Sequence, residues 1–211
     1  MIAIIGDIKT SRKIQARNQF QQKLKSLMMQ LNRGRRNIVS PYTLTIGDEF
    51  QALYKKADGV LSDCIRIISG IYPEKVRIAM GVGKITTAIN RKQALGMDGP
   101  AFHCAREGIE RQKGRKRSPI IVIQGLDESL SYNKLLISSL TMFAGSIESM
   151  HKNSLEILIA LYSKTPVKKI ADQLDLTIQG VYKHIRGNNI ANTVAFMENF
   201  EQALNERLVN K

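Results

Sequence analysis

The segment from Thr43 to Tyr54, TLTIGDEFQALY, constrains the fold most, because it reads as two short strands joined by a tight turn. Its threonine, phenylalanine and tyrosine residues are types that favour strands. Gly47 supplies the backbone freedom that such a turn needs. The turn places two acids, Asp48 and Glu49, at the tip of a hairpin, where side chains can converge on a metal ion. The alternative is an ordinary solvated turn.

Apolar strands and amphipathic helices alternate around this hairpin. A strand at Ile2–Ile5 ends at Gly6-Asp7, and a helix capped by Ser11 runs to about Leu31. The later elements are a helix over Ala57–Ile71, a strand over Val76–Val82, a helix that begins at Pro100, and a strand over Pro119–Gln124. This order predicts an α+β chain with a βαββαβ ferredoxin-like core, an antiparallel sheet with its helices on one face.

A shift in composition predicts two domains, residues 1–130 and 147–211. Residues 1–146 carry 24 Lys/Arg against 11 Asp/Glu, a balance of +13, and residues 147–211 carry 8 against 7, a balance of +1. The net charge of +14 implies an anionic partner. Most of that attraction belongs to the first domain.

The second domain reads as a helix-turn-helix, with helices at Asn153–Tyr162, Pro166–Leu174 and Ile178–Arg186. Asp175 tolerates the left-handed turn between the last two helices, and Thr177 can cap the third helix. The residues that this arrangement buries are Ile170, Ala171, Leu174, Leu176, Val181 and Ile185.

The exposed face of these helices carries side chains that suit DNA. Glutamine can pair with adenine, and lysine and arginine suit guanine edges or phosphates. The predicted DNA-binding residues are Lys168, Lys169, Thr177, Gln179, Tyr182, Lys183 and Arg186. The alternative is a three-helix bundle for protein contacts. The apolar stripe of Ala191–Leu208 is most simply core, although such regulators usually dimerise, and a homodimer is expected.

Two aspartates suggest a metal site in the first domain. Asp7 ends the first strand and Asp48 lies at the hairpin tip, and in a βαββ unit these two elements pair side by side. Two carboxylates and a backbone carbonyl, for which Ile8 is the candidate, suit Mg²⁺ or Mn²⁺. Two such ions would activate a hydroxyl and stabilise a leaving phosphate.

Several of these motifs resemble nucleotide cyclases. Leu44–Ala52 resembles the hairpin of class III cyclases, and Ile46–Phe50 resembles the GGDEF signature of diguanylate cyclases without its first glycine. Gly6–Ile8 resembles the first metal-binding strand end of both families. Arg77–Gly83 and Gly99–Arg106 resemble the later cyclase strand and helix. Over its whole length the chain resembles the SatD family, a cyclase-like palm domain followed by a helix-turn-helix.

The resemblance implies roles for particular residues. Asp7, Ile8 and Asp48 would bind the metal, and Glu49 would be a further ligand or a solvated acid. Gly47 and Arg106 would contact the nucleotide. Arg106 would also be the catalytic arginine, the alternative being a surface salt bridge with Glu110 four positions on.

The sequence also departs from the cyclase pattern. Leu44 stands where adenylyl cyclases keep a base-selecting lysine. The Gly99–Arg106 stretch is one residue short, so Phe102 or His103 falls where an asparagine orients the ribose. His103 is a candidate base, against the more common packed or solvent-facing histidine.

Together these features predict a DNA-binding transcription regulator whose palm domain binds a nucleotide with Mg²⁺. The alternative is an active nucleotidyl cyclase or nucleotidyltransferase with a two-metal mechanism. A third hypothesis is nucleic-acid binding by the palm through its basic loops, Arg33, Arg35, Arg36 and Lys113–Arg117, which are otherwise simply solvated.

The remaining sequence features concern location. No apolar run is long enough to cross a bilayer, and the N-terminus does not read as a signal peptide. A cytoplasmic protein without membrane contact is expected. Cys64 and Cys104 lie in apolar-periodic segments and are predicted to be buried thiols rather than a disulfide.

Overall fold

The computed structural model describes residues 1–9, 11, 14–33, 37–45 and 47–209. Within them the chain is a mixed α+β protein with a five-stranded sheet and eight helices. The strands are β1 (Ile2–Ile8), β2 (Ile38–Leu44), β3 (Glu49–Tyr54), β4 (Val76–Val82) and β5 (Ile121–Gln124). The helices are α1 (Arg17–Arg33), α2 (Val60–Ile71), α3 (Pro100–Lys113), α4 (Ser131–Ser149), α5 (Lys152–Tyr162), α6 (Val167–Leu174), α7 (Ile178–Gly187) and α8 (Ile190–Val209).

Two element ends differ from the sequence prediction. β1 continues to Ile8, so that Asp7 lies within the strand rather than after it. α1 begins at Arg17, and Ser11 is not its cap. The carbonyl of Ser11 instead accepts the amide of Ile14 at 3.3 Å, which closes a separate turn ahead of the helix.

The sheet has the order β2-β3-β1-β4-β5. β1 is antiparallel to both β3 and β4, and β5 is parallel to β4. Because β1 has a partner on each side, its ladder continues to Asp7, which lies opposite Glu49 of β3 and Arg77 of β4. Gly6 is required in this ladder, since a Cβ there would lie 2.0 Å from the ring of Phe50.

Alternate residues of β1 face two separate apolar cores. Ile2 and Ile4 face α1 and α2. The sequence predicts helices on this one face of the sheet only. Ala3 and Ile5 face α3, which covers the second side of the sheet. α3 approaches closely because β4 has a glycine at Gly81, where a Cβ would lie 2.0 Å from a backbone oxygen of α3.

The C-terminal helices rest on the α2 side of the sheet. α5 packs against α2, and α8 packs against α5 and α2. The stripe of Met197, Phe200 and Leu204 on α8 is no more than 3% exposed, which confirms that it is core. One continuous apolar cluster includes β1, α2, α5 and α8. The division into domains at residues 1–130 and 147–211 stays a prediction.

The two cysteines are not joined by a disulfide. Cys64 is buried as predicted, whereas Cys104 is only half-buried, because it lies on the flank of α3 that faces Gly125. Across the part of the chain that the structure describes, none of the helices is both long and apolar enough to cross a membrane.

Candidate functional site

Asp7 projects from the end of the central strand towards α3. Its carboxylate accepts a hydrogen bond from Arg77 at 3.1 Å, and the ammonium of Lys113 lies 4.0 Å from the same oxygen. Strand alternation places Asp7 and Arg77 on the same face of the sheet. The sequence prediction missed Arg77, although it is the one charged residue in the apolar strand β4.

Glu49 begins β3 and lies opposite Asp7. Arg106 of α3 donates to both carboxylate oxygens of Glu49, and the bond from Nη2 to Oε1 is 2.8 Å long. Burial raises the pKa of Glu49, but the hydrogen bonds and charge of Arg106 outweigh it, so that the pKa lies below its ordinary value. The alternative partner of Arg106, Glu110, instead accepts a bond from Lys113 at 3.1 Å.

Asp48 lies in the turn between β2 and β3 and is 7% exposed. Its Oδ2 is 3.7 Å from the guanidinium of Arg17 on α1. Its Oδ1 is buried and has no hydrogen-bond partner among the described residues, an arrangement that costs free energy. Gly47 beside it is exposed and has a φ of 81°, as the tight turn requires.

The structure brings Asp7, Glu49 and Arg106 together at one end of the sheet. Each predicted metal ligand that has a carboxylate is paired with a different basic residue. Asp7 is paired with Arg77 and Glu49 with Arg106, whereas Asp48 is paired with Arg17 on α1. Ile8 ends β1 with its side chain buried. No three histidine, cysteine or acidic side chains in the described ranges form a group able to hold a metal. Metal binding here therefore stays a prediction.

The predicted basic loops have exposed residues at two separate places, and only Lys113–Arg117 adjoins the acidic cluster. All residues of Lys113–Arg117 are exposed where the chain leaves α3, and Arg33 is exposed at the end of α1. Arg35 and Arg36 of the predicted basic loop, and Ile46 of the hairpin, lie outside the described residues. Nucleic-acid binding by these loops stays a prediction.

The start of α3 carries Phe102 and His103, the two residues that the cyclase resemblance places at the position of a ribose-orienting asparagine. Phe102 is buried in the apolar core between α3 and the sheet. His103 is exposed, and its Nε2 lies 2.6 Å from Asp98. The backbone amide of Gly99 and the ring of His103 lower the pKa of Asp98. The solvent-facing alternative for His103 is the one observed.

The link between α6 and α7 has the local features that the sequence predicts. Asp175 adopts left-handed backbone angles, with φ of 53° and ψ of 46°, and ends α6. Thr177 caps α7, because its hydroxyl accepts the amide of Gly180 at 3.0 Å. Both local predictions are confirmed.

Half of the six residues predicted to be buried around α6 and α7 are buried. Ile170, Ala171 and Val181 are at most 3% exposed, whereas Leu174, Leu176 and Ile185 are only half-buried. The outer surface carries all seven candidate residues, each of them exposed: Lys168, Lys169, Thr177, Gln179, Tyr182, Lys183 and Arg186. The last four follow the spacing that forms one stripe along a helix.

A small polar network that the sequence prediction missed fixes α7 against α5. The hydroxyl of Ser154 lies 2.9 Å from Nδ1 of His184 and accepts a bond from Asn188 at 3.1 Å. Ser154 is 2% exposed. The signal available in the sequence was Ser154, a polar residue next to the apolar positions of α5. The network sets the direction in which the polar stripe of α7 points.

A buried carboxylate joins α8 to the start of α2. Glu201 is 4% exposed and accepts the backbone amides of Gly59 at 2.9 Å and Leu61 at 3.0 Å. The hydroxyl of Tyr162 donates to the same carboxylate at 2.6 Å. Gly59 has no side chain with which to cap α2, so Glu201 provides the cap from another helix. Burial raises the pKa of Glu201 despite these donors.

A cavity of about 1120 Å³ lies between α1 and α2 on one side and α5 and α6 on the other. Its walls include Tyr54, whose hydroxyl donates to Asp63 at 2.5 Å. Arg66 of α2 donates to Ser163 after α5 at 3.2 Å. The acidic cluster around Asp7 does not line this cavity. The shape of this cavity depends on how the helices after α4 sit on the sheet layer.

Comparison with known proteins places the chain in a family. No curated protein matches it significantly. A family model described as the SatD family matches residues 1–205. The match therefore includes the whole sheet, the acidic cluster, α5 to α7, and most of α8. The chain belongs to the SatD family.

Proposed function

We propose that this chain is a DNA-binding transcription regulator whose sheet domain binds a nucleotide together with Mg²⁺. The observation that carries the proposal is the exposed stripe of Gln179, Tyr182, Lys183 and Arg186 on α7. A helix that lies in the major groove presents such side chains to base edges and phosphates. Thr177, at the N-terminus of the helix, adds a donor for a phosphate.

The finer architecture in this proposal is a ferredoxin-like palm followed by a helix-turn-helix. The order β1-α1-β2-β3-α2-β4, the antiparallel strand order and the shared face of α1 and α2 support the palm. The short left-handed link at Asp175 and the buried contact between α6 and α7 support the helix-turn-helix. In this arrangement α7 reads the bases, and Lys168 and Lys169 on α6 contact the DNA backbone.

The acidic end of the sheet fits a hard divalent cation by the chemistry of its donors. Asp7 and Glu49 lie opposite each other, and Asp48 carries a buried oxygen without a hydrogen-bond partner in the described part of the chain. Mg²⁺ prefers oxygen ligands and commonly shares its shell with phosphates. The proposal gives the ion, Mg²⁺ or Mn²⁺, to these three carboxylates and the carbonyl of Ile8. The three acids do not form one metal-binding group in this structure, so the proposal requires the side chain of Asp48 to turn from Arg17 towards the other two.

The basic residues of the same cluster are suited to the phosphates. Arg77, Arg106 and Lys113 neutralise the acids in this structure. Guanidinium groups bind phosphate oxygens in pairs. In the proposal these side chains turn from the carboxylates to a nucleotide polyphosphate. A bound Mg²⁺ supplies positive charge that offsets the phosphates.

Nucleotide binding regulates DNA binding only if two arrangements of the chain differ in nucleotide affinity. The physical connection runs from Glu49 along β3 to α2, which α8 caps through Glu201. α8 packs on α7. A displacement of β3 or α2 would therefore reach the DNA-reading helix through buried contacts.

DNA selection tests the regulator. Genomic fragments bound by the full chain are recovered and sequenced, and binding to the enriched site is measured for Gln179→Ala and for Gln202→Ala, an exposed glutamine of α8. We expect the first variant to lose about tenfold in affinity and its preference at one base pair, while the second variant binds normally. Recovery of random sequence by the wild type would refute specific regulation.

Calorimetry tests the nucleotide site. Each ribonucleoside triphosphate is titrated into wild type and Asp7→Ala, with and without Mg²⁺. We expect binding of at least one nucleotide that requires Mg²⁺ and fails in the variant. Absence of metal-dependent binding to the wild type would refute the sensor, whatever the result of the DNA selection.

The second candidate function is a nucleotidyl cyclase or nucleotidyltransferase. The observation that favours it is the placement of Arg106 at the acidic cluster, rather than on the helix surface with Glu110. Incubation with each nucleoside triphosphate and Mg²⁺ or Mn²⁺ tests it. A product that wild type forms and Asp48→Ala does not would establish the enzyme, and failure with every nucleotide would leave the sensor.

A further inference from the structure

An exposed stripe without charged side chains runs along the length of α4, and the exposed Lys134 and Glu148 flank it. Leu135 is 66% exposed and Met142 is 76% exposed, so the stripe holds two large apolar side chains in contact with water. The other residues of the stripe are serine and glycine. The α4 stripe, as defined here, consists of Ser131, Leu135, Ser138, Met142, Gly145 and Ser149, all of them exposed.

The spacing of the α4 stripe is that of a helix-pairing seam. Its members alternate by four and three positions, the heptad pattern by which one helix packs along another. The inward face of the same helix is already used, since Leu136, Leu140 and Phe143 are buried in the core. The stripe is therefore a second seam on α4, uncharged and formed by two large apolar residues among serines and a glycine.

The stripe is complementary to itself in size. When two copies of α4 lie antiparallel with their centres level with Leu140, Leu135 of each falls opposite Gly145 of the other. Met142 likewise falls opposite Ser138, and Ser131 opposite Ser149. A side chain built on Gly145 would meet nothing within 4 Å, so the space above it is open. Large residues thus meet small ones at the central levels of the seam, and serine meets serine at its two ends.

The flanks of the seam are complementary in charge. The charged residues of α4 are Lys134 and Glu148, and in the antiparallel arrangement Lys134 of each copy lies beside Glu148 of the other. Glu148 binds Lys75 of its own chain at 3.2 Å. That pair is exposed, and exposed pairs contribute little, so the carboxylate can share a second cation.

The charge of the rest of the chain favours this face for contact between copies. Two chains that each carry +14 repel each other. α4 has one basic and one acidic residue, whereas α1 has four basic residues and no acidic one. The stripe of α8 that could have served a dimer is buried in the core.

From these features we infer that the α4 stripe is the contact surface for a second copy of this chain, in an antiparallel two-fold pair. Such an interface is isologous, so that each favourable contact occurs twice. A single helix pair is small among specific interfaces, below about 1,200 Å² in total. The dissociation constant is therefore expected in the micromolar range, on the order of 1–100 µM.

Sedimentation of the full chain over a concentration series tests the inference. We expect wild type to pass from monomer to dimer, and Met142→Arg to raise the dissociation constant at least about tenfold by placing charge in the seam. Met29→Arg is the matched control, because Met29 is an exposed methionine of α1, 53% exposed. It is expected to dimerise like wild type.

A charge exchange tests the antiparallel register. Lys134→Glu alone and Glu148→Lys alone place like charges together and should each weaken the dimer, whereas the double exchange should restore it. Circular dichroism confirms that each variant is folded. Any one of three results would overturn the inference. They are a wild type that stays monomeric at 200 µM, a dimer whose dissociation constant Met142→Arg does not change, and a double exchange that dimerises no more tightly than either single exchange. If the wild type were monomeric, a different protein would be the remaining candidate partner for the α4 stripe.

Discussion

Two carboxylate sites in this chain are built in opposite ways. At the acidic end of the sheet, Asp7, Asp48 and Glu49 are each neutralised by a lysine or arginine side chain. At the joint between α2 and α8, Glu201 is neutralised by backbone amides and a tyrosine hydroxyl. The first set of partners consists of long, partly exposed side chains, and the second consists of two backbone amides and one tyrosine hydroxyl.

The difference indicates which site can exchange partners. Arg77, Arg106 and Lys113 can rotate away from the acids when a stronger anion or a metal arrives, because each is partly exposed. The amides around Glu201 cannot move without unwinding the first turn of α2. Under the proposed function, the acidic cluster would be the binding site and the joint would be a structural element that transmits its state. Four experiments probe this contrast, in order of decreasing effect.

The largest expected effect is on the joint. Glu201→Ala leaves the amides of Gly59 and Leu61 and the hydroxyl of Tyr162 without their acceptor in a buried place, so the free energy of unfolding should fall by about 3 kcal/mol. Urea denaturation followed by circular dichroism measures it. Glu198→Ala, on the exposed side of the same helix, should change it by less than about 0.5 kcal/mol. Equal losses in both variants would contradict a special role for Glu201.

At the acidic cluster, a substitution should change ligand binding more than it changes stability. Asp48→Asn removes charge from a carboxylate whose Oδ1 has no hydrogen-bond donor among the described residues, so the free energy of unfolding should change by less than about 1 kcal/mol. Binding of a nucleotide with Mg²⁺ should weaken at least about tenfold. Glu107→Gln, an exposed acid of α3 paired with Arg111, should bind normally. A large stability loss with unchanged binding would make Asp48 structural.

A smaller effect is expected one turn further along α8. Asn205 accepts the amide of Ala57 at 2.7 Å and donates to Asp58 at 2.9 Å. Because Asn205 is half-buried and water can replace part of these bonds, Asn205→Ala should cost about 1 kcal/mol. Thermal unfolding of this variant and of Gln202→Ala, its exposed neighbour, measures the difference. Equal unfolding temperatures for the two variants would mean that Glu201, and not Asn205, stabilises the joint.

The smallest effect concerns pH. The folded pKa of Glu49 lies below its ordinary value of 4.5, so its contribution to stability is complete above that pH and is lost as pH falls through the folded pKa. Wild type should therefore lose more stability than Glu49→Gln between pH 5 and pH 3, by less than about 1 kcal/mol because the Arg106 pair is partly exposed. Parallel curves for both proteins would mean that the ion pair contributes nothing.

Local features of this fold could be predicted from sequence because they depend on nearby residues. The apolar periodicity gave the order of strands and helices, and Thr177 and Asp175 marked the link between α6 and α7. Contacts between distant elements were harder. Arg77 faces Asp7 only because β4 pairs with β1 in one particular register. The sequence places Glu201 in the apolar stripe of Ala191–Leu208, but its bonds to Gly59 and Leu61 form only when α8 packs on α2.

The sequence by itself determined the alternation of elements, the hairpin that carries Asp48 and Glu49, and the polar stripe of α7, since each follows from propensity and periodicity over a few residues. Only the tertiary structure decided which cation neutralises each acid, which face α3 covers, and that the α4 stripe stays exposed. Those outcomes depend on register and close packing between segments far apart in the chain, where a glycine such as Gly81 sets how closely two elements approach.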